Sequence, residues 1–200
     1  MNKPRTPTHR LCFLLLVASL DLLPFRLNAT PSSDTVLAAV NSEPITFSDI
    51  ENDSQNRTDE QNCRAQYQGD ERRAKLKAIR LKTLDRLIEE RLIIDDFTEQ
   101  GGFIPDSYID ARVQDIIDAD YGGSDARLDA RSAILGETRD DFRNRIIKSA
   151  ILNYMTSENI DKKITSATPD DEARQRAALR QAWLASLRKK AYVKILFPGG

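Results

Sequence analysis

The sequence predicts a mainly helical domain closed by a small β-sheet formed by its N- and C-terminal strands. Two short strand signals stand at opposite ends of an otherwise helical chain, Val36–Val40 near the start and residues 191–197 at the finish. A lone strand leaves its backbone donors and acceptors unpaired, so bringing the two ends together satisfies both. Between them, apolar residues recur at helical spacing in segment after segment.

The first residues read as a targeting segment outside that domain. Lys3, Arg5 and Arg10 precede an apolar stretch, residues 11–20, that suits a signal-peptide core but is too short to span a bilayer. Asp21 and Pro24 end the stretch, and Leu27-Asn28-Ala29 offers a small residue before a cut after Ala29. Residues 1–29 are therefore expected to be a cleaved signal peptide, and the mature chain to be soluble, with no stable membrane insertion.

From residue 36 onward the elements follow in order. Asn41-Ser42-Glu43 makes a turn and Pro44-Ile45-Thr46 a return strand, after which Ser48 and Glu51 have the spacing of a capping box. Residues 53–70 are polar and short of apolar side chains, which predicts a frayed helix or a mobile connection. A long helix over residues 71–100 carries Leu76, Ile79, Thr83, Leu84, Leu87, Ile88, Leu92 and Phe97 as one stripe. Pro105-Asp106 opens the next helix, through Tyr108, Ile109, Val113, Ile116, Ile117 and Tyr121. A shorter helix over residues 125–135 stops at Gly136. Thr138 caps another, carrying Phe142, Ile146, Ile147, Ala150, Ile151 and Tyr154. Pro169 sits in the first turn of a last helix, through Leu179, Trp183, Leu184 and Leu187, that leads into the terminal strand, where Val193 and Ile195 are expected to be buried.

Composition excludes several chemistries. The whole chain has a formal net charge of −1; its first 29 residues carry a net +3, leaving −4 with both signs interspersed. That offers no continuous basic face for nucleic acid. The single histidine, His9, leaves with the signal, so the mature chain has no imidazole base and no histidine metal ligand, and no metal or other cofactor is expected. Glu89-Glu90, Asp95-Asp96 and Asp170-Asp171 are sequence neighbours that point in different directions on a helix, and they read as solvated faces. Gly101-Gly102 and Gly122-Gly123 suit left-handed helix ends rather than a phosphate loop. Cys63 cannot pair within the mature chain, so it is buried and inert, reactive, or an intermolecular link, while its neighbours Asn62, Arg64 and Gln66 suggest a rather exposed polar helix or loop.

Several segments together resemble a known family. Residues 36–40 with Asn41 and Ile45-Thr46, then Leu84-Asp85-Arg86-Leu87-Ile88-Glu89-Glu90-Arg91-Leu92-Ile93, resemble the N-terminal domain of the SurA-type periplasmic chaperones. Phe142-Arg143-Asn144-Arg145-Ile146-Ile147-Lys148 is similar to that domain's last helix, and Ile164-Thr165 to its exit. Trp183 with Arg188-Lys189-Lys190-Ala191-Tyr192-Val193-Lys194-Ile195 is similar to the family's closing helix and strand. The resemblance implies a SurA N-terminal-domain-like helical bundle over residues 30–167, completed within the same domain by a helix and strand over residues 168–200.

The chain departs from the family in one respect. Family members usually insert parvulin-type isomerase domains, each about a hundred residues long, before the closing helix, whereas here Ile164 is followed almost at once by Pro169. Isomerase activity is therefore not carried over, and no enzymatic role is expected. The resemblance implies an ATP-independent periplasmic holdase for unfolded secreted or outer-membrane polypeptides. An unfolded barrel strand exposes alternating apolar residues and unpaired backbone, which a helical cradle with aromatic walls shields. Phe103, Tyr108, Tyr121 and Tyr154 are the candidate peptide-binding walls, although their helical spacing suits core equally well. The readings from other classes are a peptidyl-prolyl isomerase without a parvulin domain and a non-catalytic adaptor for one dedicated partner.

Overall fold

The two ends of the domain pair in a sheet. A computed structural model describes residues 32–166 and 168–196, so the expected signal segment and the end of the terminal strand signal, from Phe197 on, lie outside the described residues. Strand β1 (Val36–Val40) pairs antiparallel with β2 (Glu43–Thr46) on one side and with β3 (Val193–Ile195) on the other. As the central strand, β1 buries three of its five residues completely: Leu37, Ala38 and Val40 are each 0% exposed. A register shift between Val36 and Ala38 places successive residues out of strict alternation, and both Leu37 and Ala38 are buried.

Asn41 holds the sheet together at its turn. Its φ of 53° is left-handed, a conformation that asparagine tolerates better than most residues. Its N–H donates to the Tyr192 carbonyl at 2.7 Å, its Oδ1 accepts the Tyr192 N–H at 3.0 Å, and its Nδ2 donates to Asp95 at 2.7 Å. One side chain thereby joins the first hairpin, the last strand and the long helix. β3 is shorter than expected and contributes less apolar burial: Val193 is half-buried, but Ile195 is 57% exposed, which corrects the expectation for that residue. Backbone pairing, more than side-chain burial, attaches the C-terminal strand.

The first helix, α1 (Phe47–Asn52), begins two residues earlier than the Ser48 cap predicts. Thr46 is the cap: its hydroxyl accepts from the Asp49 N–H, and the Thr46 N–H in turn donates to the Asp49 carboxylate at 2.7 Å. The boundary moves because Phe47, 6% exposed, must turn into the core directly from β2, and its N–H is already taken by the Thr35 carbonyl at 2.8 Å.

Residues expected to fray or move form a regular helix, α2 (Ser54–Gln66), capped by Asp53. It docks on α3 (Gly69–Glu99) with polar groups instead of an apolar stripe. Asn56, 2% exposed, accepts from the Thr83 hydroxyl at 3.2 Å, and Glu60 receives Arg80 at 2.7 Å and Arg64 at 2.8 Å. Burial pushes the Glu60 carboxyl upward, but bonds from Arg80, Arg64 and Asn56 and the charge of Arg80 outweigh it and hold the group below its ordinary value. Cys63 is buried here, the first of its alternatives, and the exposed setting suggested by its polar neighbours is not what forms.

α3 is 31 residues long, roughly 46 Å at about 1.5 Å per residue. Its expected stripe is core, with Thr83, Leu84, Ile88, Leu92 and Phe97 buried and Leu76, Ile79 and Leu87 half-buried. Of the carboxylates read as solvated faces, those on α3 are tied to other parts of the fold instead. Glu89 receives Arg180 at 2.7 Å, Glu90 receives Arg86 at 2.6 Å and Lys148, and Asp96, 8% exposed, lies 3.7 Å from Lys190. Asp170 and Asp171 do stay exposed, at the start of α7 (Pro169–Lys190), where Thr168 caps through Asp171.

The remaining helices build a second core. α4 (Asp106–Tyr121) and α5 (Asp125–Leu135) pack with the first half of α6 (Arg139–Asn159) around Ile109, Ile117, Leu128, Phe142 and Ile146. The second half of α6 supplies Ile151 and Met155 to the main core, with the sheet, α3 and the buried Trp183, Leu184 and Leu187 of α7. Arg139 ties α6 to α5 through Asp125 at 2.7 Å and Asp129 at 2.6 Å, and its hydrogen bond holds the Asp129 carboxyl below its usual value. α6 is therefore shared by both cores, and the hollow between them opens beside it.

Candidate functional site

The turn from α3 to α4 shapes this hollow. Gly101 takes a φ of 72°, and the next residue passes so close to the Phe97 ring that a Cβ on Gly102 would lie 2.5 Å from it. Only glycine fits there, and the passage carries the chain over the ring and out to Phe103, which is 79% exposed. Pro105 then starts α4, setting Tyr108 one turn in on the same side.

Phe103, Tyr108 and Tyr154 line one open cavity of about 450 Å³, with Phe97, Ile104 and Ala150 beneath them. The volume is in the range of ligand-holding clefts. Phe97 forms the floor: it is 7% exposed and meets Tyr154 edge to face, with ring centroids 6.0 Å apart and planes at 76°. Tyr108 and Tyr154 are 51% and 53% exposed, so the walls are free to meet another molecule.

The fourth residue expected in the wall is elsewhere. Tyr121 is half-buried at the end of α4 and packs against the second core, the alternative its spacing left open. Phe97 is the groove residue the sequence did not single out. Its place in the α3 stripe marked it as core, and nothing in the spacing shows that a glycine crosses its ring.

A second cavity, of about 310 Å³, adjoins the first and shares Tyr108 and Ala150 with it. Arg112 and Ile116 of α4 face Arg145, Ser149 and Asn153 of α6 across it. The lining of the two cavities holds no carboxylate, thiol or imidazole, so the arrangement suits binding by apolar contact and hydrogen bonding. Among the described residues no cluster of three or more histidine, cysteine or acidic side chains is placed to hold a metal ion, and no helix is long and apolar enough to cross a membrane.

The model of the SurA-like N-terminal domain matches residues 5–156 of this chain. The chain belongs to the SurA-like N-terminal domain family. The match takes in β1, β2, α1 to α5 and most of α6, and with them every residue lining the two cavities; α7 and β3 lie beyond it. No curated protein matches the chain. Within this SurA-like domain the groove is formed by the family-matched part, while the closing helix and strand complete the core beneath it.

Proposed function

We propose that this SurA-like protein is an ATP-independent periplasmic holdase that shields unfolded secreted or outer-membrane polypeptides, delivered there by a cleaved signal over residues 1–29. The observation that carries the reading is the exposed aromatic cavity of Phe103, Tyr108 and Tyr154 over the Phe97 floor. Exposed aromatic side chains gathered in a concave site are costly to leave in water and are repaid by covering a partner's apolar residues. An extended segment presents such residues at every second position, so one or two of them enter while the rest stay in solvent. Contact of this kind is weak and tolerant of sequence, which suits a protein that must release its client without an energy source.

Dilution of a urea-unfolded outer-membrane barrel protein into buffer, followed by light scattering, tests the proposal. Scattering is expected to fall as the protein is added at modest molar excess without nucleotide; unchanged scattering at about tenfold excess overturns the reading. The same protein is expected to leave a proline-limited refolding reaction at its uncatalysed rate, which is tens of seconds or slower. A rate that rises in proportion to added protein would favour the isomerase reading instead.

A further inference from the structure

The groove has a chemically distinct second end. Its charged lining side chains are Arg112 and Arg145, one from each helix, and both stand beside the aromatic cavity across the shared Tyr108 and Ala150. Arg145 is held in place: its Nε and Nη2 donate to the two Glu137 oxygens at 3.0 and 3.2 Å, and its guanidinium lies 5.0 Å from the centre of the Phe142 ring. Those bonds leave Nη1 outside the fork. Arg112 gives only Nη1 to Asp115, at 3.2 Å, in a pair whose side chains are 50% and 63% exposed. A pair that open to solvent contributes little, so an incoming anion displaces it at small cost. Both guanidinium groups line the cavity while their present partners, Glu137 and Asp115, do not, so Nη1 of Arg145 and the solvent-open Arg112 are the donors a carboxylate ligand would meet.

We infer that the groove selects extended polypeptide segments in which an aromatic residue is accompanied, a few residues along, by a carboxylate. The ring enters the cavity of Phe103, Tyr108 and Tyr154, and the carboxylate sits between Arg112 and Arg145. The spacing follows from the helices. Tyr108 and Arg112 are separated by about 6 Å of helix, and Arg145 and Tyr154 by about 13 Å. An extended chain advances about 3.3 Å per residue, so roughly two to four residues separate the two groups. This inference rests on the holdase reading and specifies which client segments it favours.

Three dye-labelled peptides that share one phenylalanine-containing sequence test it by fluorescence anisotropy with the intact protein. One ends in a free carboxylate, one carries an aspartate three residues from the phenylalanine and ends in an amide, and one is neutral throughout. At least one acidic peptide is expected to bind about three- to fivefold more tightly than the neutral one, the upper size of an exposed charge pair, and which of them does so tells a chain terminus from a side chain. In R112Q the ratio is expected to fall below about twofold, and R145Q, checked for an unchanged melt, to act in the same direction. Equal binding of the three peptides, a preference that survives R112Q, or no binding while the protein still suppresses scattering overturns the acid selection alone. No peptide binding together with unsuppressed scattering overturns the holdase reading as well.

Discussion

A chain ending at Lys190 is expected to lose its cooperative thermal transition, or to melt at least about 10 °C below a chain ending at Phe197, which keeps all of β3. The cut removes the Tyr192 and Leu196 bonds to Asn41 and Leu37, at 2.7, 3.0 and 2.8 Å, together with the ladder between them. Each backbone bond contributes about 0.5–1.5 kcal/mol net, and half-buried Val193 adds about 1 kcal/mol. The larger loss is to β1, which would be left with β2 alone. A two-stranded hairpin is marginal in water, and this one carries Leu37, Ala38 and Val40, all fully buried in the intact fold. For a protein of this size about 1 kcal/mol moves the melting temperature by about 2–4 °C, so a loss of several kcal/mol gives the expected shift. Circular dichroism melts of the two chains check it. A transition within a few degrees of the longer chain would show that the ends do not depend on each other.

Replacing Phe103 and Tyr108 together by serine is expected to remove most of the holdase effect while leaving the fold intact. Both side chains are more than half exposed, so their loss costs the native state little, and the melt is expected to stay within about 2 °C. Covering a phenylalanine-sized side chain is worth roughly 1.5–3 kcal/mol, so losing two partly covered rings weakens a client contact by about tenfold to a hundredfold. The measurement is the protein excess needed to halve light scattering of the diluted barrel protein. An unchanged dose dependence in a folded double variant would mean that clients are held elsewhere on the surface. Tyr154 is left in place because it packs on Phe97, and its removal would mix binding with stability.

Local signals set the order of the elements. The apolar period of residues 76–97 makes a helix wherever it is placed, Gly136 ends α5, and Pro169 begins α7 because its fixed φ suits a first turn. The need of residues 36–40 for a partner was also legible, since a solitary strand cannot satisfy its own backbone. These are short-range or bookkeeping constraints, and one residue's chemistry is enough to state them.

The choice among equivalent groups was made by packing. Thr46 and Ser48 are both competent caps, and the burial of Phe47 selected Thr46. The polarity of α2 looked like disorder because its anchors lie far along the chain: Asn56 reaches Thr83, Glu60 reaches Arg80, and Asp53 is 2.5 Å from Arg86. Glu89, Glu90 and Asp96 looked like solvent-facing charges for the same reason. The groove depended on this most. Phe103, Tyr108 and Tyr154 were visible as aromatic residues, but so was Tyr121. By itself the sequence determined that this is a helical domain of the SurA-like kind with its ends joined. Only the tertiary structure decided which aromatic residues gather over Phe97, because a cavity is the space left where two helix-packed cores meet, and that space has no period along a chain.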